Sequence, residues 1–215
     1  MARNVDRDAR EAEKRKKRII EEGFKLFAEH GIENVSLLTV AEAADVGVAT
    51  MYNYYQNKIN LIVAISTQIW SDVFADFSKK VPLEMLAAQT AYENIEAYTD
   101  VIIHIFKTRP EILRFSSNYK TYIRREKATK NDFAEHLDSL EPIAKLFHES
   151  CVKARVDGSI RTDIPEDEMF TTISLTMLAM AERFAEGIVW TDNGNDDKSN
   201  ELEYIKEMIL KWCKP

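Results

Sequence analysis

Between Val48 and Lys58 the chain reads Val-Ala-Thr-Met-Tyr-Asn-Tyr-Tyr-Gln-Asn-Lys. Short polar side chains and aromatic hydroxyls at one-turn spacing are the groups that reach base edges and phosphates when a helix lies in the major groove. Asn53 carries an amide that pairs two hydrogen bonds with an adenine edge, and Thr50 can reach a thymine methyl or a phosphate. Val48 and Ala49 are small enough to let the backbone approach the groove floor. Lys58 is expected beside a phosphate at the start of the following helix. Tyr52 and Tyr55, three apart, can both pack beneath the helix, with Asn53 and Tyr54 outward, and Tyr52 is expected to be at least partly a packing residue because its ring is amphipathic.

These groups need a scaffold, and the residues before them supply one. Ile20, Phe24 and Phe27, each preceded by Ile19, Gly23 or Leu26, form an apolar stripe at helical spacing that ends at His30-Gly31. Gly31 is a natural helix stop, because it tolerates the left-handed conformation. Ser36 is a good N-cap for a short second helix with Leu37, Val40, Ala41 and Ala44 on its apolar side. Asp45-Val46-Gly47 then breaks the chain before the helix that carries Thr50 and Asn53. Two short helices around a tight turn are the helix-turn-helix plan, in which small residues such as Ala41 and Ala44 let the helices cross closely.

Charge sharpens the reading. The chain has 215 residues, with 6 Gly, 5 Pro and a net charge of −7, a composition that points to helices and, taken as an average, argues against a phosphate-rich partner. Residues 1–60 carry ten basic and ten acidic side chains, so the whole excess of acid falls in 61–215. Lys14-Arg15-Lys16-Lys17-Arg18 is an uninterrupted basic run. It is either a solvated helix face or an arm in which Lys16 and Lys17 meet phosphates.

The segment from Arg18 to Leu61, in which Leu26-Phe27 and Gly31 close the first helix, Ser36 caps the second, and Tyr52, Tyr54, Tyr55 and Lys58 follow the turn, resembles without a gap the DNA-binding domain of TetR-family transcriptional repressors. The family usually places Gly and then Ser or Thr where this chain has Asp45 and Gly47. Asp tolerates left-handed geometry and Gly is an acceptable N-cap, so the fold is kept while a hydroxyl contact at position 47 is lost. The resemblance implies a sequence-specific regulator, a repressor released from double-stranded operator DNA by a small-molecule effector. Its DNA-contacting set here is Lys16, Lys17, Ser36, Gly47, Val48, Ala49, Thr50, Tyr52, Asn53, Tyr54 and Lys58. It also implies a reading domain over 1–60, an effector and dimerisation domain over 61–215, and a homodimer built from the last two helices, about 166–190 and 200–213.

The rest of the chain reads helical throughout, for an all-α fold of about nine helices. One helix runs from Lys58 to Lys80, a second from Pro82 to Lys107, and a third from Arg109-Pro110 through Arg125. Pro142 predicts a fresh helix start or a kink in the following segment, and Pro165 with Glu166, Asp167 and Glu168 opens the next helix. Phe170, Ile173, Met177, Met180 and Phe184, with Leu202, Ile205, Met208, Ile209 and Trp212, are expected to supply a subunit interface as well as a core. Asp192 to Asn200 is the expected loop between those helices.

Tyr92, His104, Phe115, Tyr119, Tyr122 and Phe147, with Tyr98 and Phe106 beside them, are the candidates for an effector pocket. The competing reading is an aromatic core with His104 as a hydrogen-bonded core histidine.

Other functions find less in the sequence. None of His30, His104, His136 and His148 has a Glu three residues before it, so a carboxylate-bridged metal pair lacks its ligands. No glycine-rich phosphate loop, HExxH or GxSxG occurs, so no enzyme, cofactor or metal is expected. Cys151 and Cys213 stand apart, which suits a reducing cytoplasm, and no apolar run approaches the length needed to span a bilayer. A helical adaptor for protein partners would leave Thr50, Asn53 and Lys58 unexplained.

Overall fold

The computed structural model describes residues 5–187 and 197–215, and every regular element among them is helical. The start of the chain and most of the expected loop over Asp192 to Asn200 lie outside the described residues, as does the stretch 188–190 of the expected interface helix.

Among the described residues ten α-helices follow one another. The first is α1 (Val5–His30), closed by Gly31 at φ 81°. It begins well before Ile20, so the basic run is part of the helix and not a separate arm. Then come α2 (Leu37–Ala43) and α3 (Val48–Tyr55), the long α4 (Lys58–Lys80), and α5 (Leu83–Ala88). Next are α6 (Ala91–Thr108), α7 (Pro110–Arg125), and α8 (Ala134–Asp157) after a short 3-10 turn at Lys130–Phe133. The series ends with α9 (Glu166–Ala185) and α10 (Ser199–Cys213).

Three expectations about the helices change. The single helix expected over Pro82 to Lys107 is two, because Thr90 restarts the chain with a capping box: its hydroxyl accepts from the Glu93 amide, and the Glu93 carboxylate accepts from the Thr90 amide. Pro142 neither starts nor ends a helix, since α8 runs through it; the carbonyl of Asp138 simply loses its intrahelical donor. α9 stops at Ala185 instead of about 190, closed by a turn with Gly187 at φ 73°.

The chain packs as two compact units, one comprising residues up to Trp70 with Phe115–Ser139, the other Ser71–Arg114 with the chain from Leu140 onward. These packing units do not coincide with the division at residue 60. In the first unit Ile19, Phe27, Val40, Met51, Leu61 and Ile65 are buried together with Phe115. Gly23 lets two helices close on each other, since a Cβ there would stand 2.9 Å from Ile65 Cδ1 on α4.

In the second unit α10 packs on α6 and α9, and α6 packs on α9. Ile173, Met177, Leu202 and Ile209 are buried there, and the rings of Phe170 and Phe184 meet Phe147 and Phe106. Four of the ten apolar residues expected to serve both core and interface are therefore core of the unit itself, and five more are half-buried. Leu175, Tyr204 and Met208 remain exposed, at 54%, 62% and 69%. No helix among the described residues is long and apolar enough to cross a membrane.

Candidate nucleic-acid interface

The helix-turn-helix is assembled by caps and one left-handed residue. Ser36 Oγ accepts from the Thr39 amide at 3.0 Å and sits 2.8 Å from the Thr39 hydroxyl, which fixes the start of α2. Leu37, Val40, Ala41 and Ala44 are buried beneath it. The chain reverses at Asp45, whose φ is 49°, and the Val46 amide donates to the Ala41 carbonyl at 3.0 Å. Asp bears this geometry with less strain than most residues. Arg18 on α1 holds the turn from outside: its guanidinium donates to the Asp45 carbonyl at 3.2 Å and lies 3.8 Å from the carboxylate.

α3 begins at Gly47, extended at φ −65° with no side-chain cap. Its underside is Met51 and Tyr55, four apart and buried, and burial pushes the Tyr55 phenol up to about 12. Its outer face is Val48, Ala49, Tyr52 and Asn53, all exposed, with Thr50 and Tyr54 half-buried. Tyr52 is half exposed on the outer face with Asn53, and the buried neighbour of Tyr55 on the underside is Met51, four before it.

Lys16 and Lys17 are both exposed on α1, and Lys16 Nζ stands 5.7 Å from the Tyr54 ring, which brings the basic run against the end of α3. Lys58 has partners within the protein. Its half-buried ammonium donates to the Glu33 carbonyl at 3.3 Å and lies 5.3 Å from the Tyr122 ring and 5.9 Å from Phe27. Burial lowers its pKa, against the opposing pull of Glu126 and Glu33. The Arg125 guanidinium pairs with Glu33 and also covers the Tyr122 ring. An ammonium with these partners ties α4 to the link between α1 and α2.

Comparison with known proteins places this geometry. The profile described as "Bacterial regulatory proteins, tetR family" matches residues 19–65, the segment from the buried end of α1 into α4. The HTH-type transcriptional regulator SAR2658 of Staphylococcus aureus (strain MRSA252) is 31% identical over 165 residues, covering 77% of this chain and 80% of that protein. The chain belongs to the TetR family. The HTH-type transcriptional repressor KstR of Mycobacterium tuberculosis (strain ATCC 25618 / H37Rv) is 25% identical over 139 residues, 62% of this chain and 63% of KstR, so the match spans less than two thirds of that relative. Among solved structures, a putative TetR-family transcriptional regulator from Rhodococcus sp. superposes with a TM-score of 0.71 at 14% identity, covering 93% of this chain and 98% of that one. The fatty acid degradation regulator FadR from Bacillus halodurans gives 0.70 at 13% identity, covering 91% and 94%. Those two likenesses establish the fold.

The effector candidates of this TetR-family chain are shared between the two units. Phe115, Tyr119 and Tyr122 are buried in the first unit, where Phe115 stacks on Tyr119 with centroids 6.3 Å apart. Tyr92, His104 and Phe147 belong to the second. There His104 lines a cavity of about 560 Å³ between α4, α5 and α6, with Phe77 and Val101 on its apolar side. His104 is exposed and not a core histidine, with Nε2 2.8 Å from Lys80 Nζ. Phe147 is core, against Phe170, and Tyr92 lies beneath the Lys214 ammonium. Tyr98 also serves the core, donating to the Leu146 carbonyl at 3.0 Å.

Two residues that matter here carried no signal in the sequence. Arg18 is indistinguishable from the rest of the basic run until the turn is folded against it. His136, half-buried with its ring 5.1 Å from Tyr119, is held down to about 4 by burial and then by Lys120.

Proposed function

We propose that the protein is a sequence-specific DNA-binding transcriptional regulator, a cytoplasmic homodimer that represses by binding a two-fold operator and is released by a small-molecule effector. The observation that carries the reading is the outer face of α3. A short helix whose apolar residues Met51 and Tyr55 are spent on the core exposes Val48, Ala49, Tyr52 and Asn53 with Thr50 beside them. These side chains suit the edges of bases in a major groove. Ser36 and Gly47 flank that face, and Lys16 and Lys17 extend it toward the phosphates. The name of KstR as a repressor favours repression over activation.

Functionally, residues 1–60 form the reading domain and 61–215 the effector and dimer domain. A dimer would use the last two helices, where Leu175, Tyr204 and Met208 are left exposed after the core is filled. Two copies would present two copies of α3 to two half-sites.

The test is binding of the purified protein to duplex DNA from upstream of its own or a neighbouring gene. The logarithm of the affinity should fall steeply with the logarithm of salt concentration, because several phosphates are contacted in each half-site. Asn53→Ala should cost about 1–3 kcal/mol on the preferred site and relax base preference, whereas Lys17→Ala should weaken all sequences about equally. If neither substitution moves affinity or preference, α3 is not the reading helix. An effector must bind free and DNA-bound protein with different affinities, since only a differential affinity shifts the equilibrium.

A further inference from the structure

Two residues of the first unit, Tyr119 and His136, meet edge to face with ring centroids 5.1 Å apart. Each carries a buried polar atom, the Tyr119 hydroxyl and His136 Nδ1, with no hydrogen-bond partner among the described residues. Tyr119 retains only 6% of its exposure. Leaving such a group unpaired costs its full desolvation, and two of them on rings that meet point to an absent partner. Neither serves the other. The walls beside them are aromatic: Phe115 stacks on Tyr119, and the Phe24 ring on α1 meets Phe115 edge-on at 5.6 Å.

We propose that Tyr119 and His136 form the polar end of a ligand site within the first unit, for an uncharged, largely apolar molecule that carries a carbonyl or hydroxyl oxygen. The proposal rests on the effector reading above and adds the place and the chemical class. A phenol donates, and an imidazole Nδ1 donates in one tautomer and accepts in the other. A carbonyl oxygen therefore accepts from both groups, and a hydroxyl accepts from one and donates to the other. Burial raises the phenol to about 12 and holds the imidazole at about 4, so both groups are uncharged near neutral pH and offer no counter-charge to an ion. The aromatic walls suit an apolar body. The site also shares its unit with α3: Phe24 belongs to the helix whose Arg18 holds the turn at Asp45.

The experiment uses the full chain and prodan, an uncharged aromatic ketone whose emission moves to the red when its carbonyl accepts a hydrogen bond. Prodan should bind and raise the Tm. Tyr119→Phe should weaken that binding about tenfold and shift the bound emission to the blue, the loss of roughly one hydrogen bond. His136→Leu should weaken it in the same direction. Without prodan, Tyr119→Phe should melt at or above the wild-type temperature, because an unpaired hydroxyl has been removed. No binding of prodan, or equal binding by wild type and both variants, overturns the proposal. So does a lower Tm for ligand-free Tyr119→Phe, which would mean that an ordered water already satisfies the hydroxyl. Duplex binding by the wild type is measured separately: its failure removes the regulator reading, while the ligand site stands or falls on prodan.

Discussion

α3 and the part of α7 from Phe115 onward belong to the same unit, and both carry aromatic rings at helical spacing, yet they spend them differently. On α3 the buried positions are Met51 and Tyr55, and Tyr52 stays half exposed beside Asn53. On α7, Phe115, Tyr119 and Tyr122 recur at one- and two-turn spacing and are all buried. A two-turn helix lying on a small core has room for one apolar edge, and the remainder must face outward. A four-turn helix packed along its length turns every ring of its stripe inward. Hydroxyls on α3 thus remain available to a partner in solvent, whereas the Tyr119 hydroxyl can only be reached from within. The same residue type is exposed in one place and buried in the other.

The largest expected effect separates the two helices by stability. Phe115→Ala removes a ring at 1% exposure and should cost about 3–5 kcal/mol in denaturant unfolding, whereas Tyr52→Ala should stay within about 0.5 kcal/mol and act on duplex affinity instead. Equal losses at both positions would break the contrast.

Next comes pH, which should act through the α7 side. The His136 imidazole is held at about 4 in the folded protein, against an ordinary 6.5, by burial first and Lys120 second. Between those values the unfolded chain binds the proton and the folded one does not. The contribution is therefore complete above about 6.5 and is lost as pH falls toward 4, on the order of 2–3 kcal/mol over that range. Melting curves of His136→Leu should lack this acid-side slope, and an unchanged slope would remove His136 as its source.

Ser36→Ala deletes the cap that accepts from the Thr39 amide and should cost about 1 kcal/mol, weakening duplex binding through the seating of α2. Gly47→Ser is the smallest change and should have the opposite sign. A Cβ at Gly47 meets nothing closer than Thr50 Oγ1 at 3.9 Å, so a hydroxyl there can cap α3 and stabilise by a few tenths of a kcal/mol. A loss of stability in Gly47→Ser would show that the start of α3 is more confined than its geometry indicates.

Much of this was readable from local pattern. Gly31, Ser36 and the Asp45-Val46-Gly47 break stand where the ends of α1, α2 and α3 are found, because caps and stops depend on residues within one turn of each other. The apolar side of α2 was also legible, since Leu37, Val40, Ala41 and Ala44 share one face at any tertiary position. The break at Thr90 was missed although the capping box with Glu93 is local, because the apolar spacing on either side of it reads as one continuous helix.

What the sequence by itself determined is the helical class, the helix-turn-helix and the placement of Asn53 and Thr50 on its second helix, all consequences of short-range backbone chemistry. Only the tertiary structure decided the fate of individual long side chains: Lys58 drawn onto Tyr122 and the Glu33 carbonyl, Arg18 reaching Asp45, His104 left exposed, and the rings of Tyr119 and His136 brought together. Those outcomes depend on which groups far apart in the chain arrive within about 3 to 6 Å of one another, and at that range desolvation and hydrogen bonding outweigh anything a neighbour in sequence can impose.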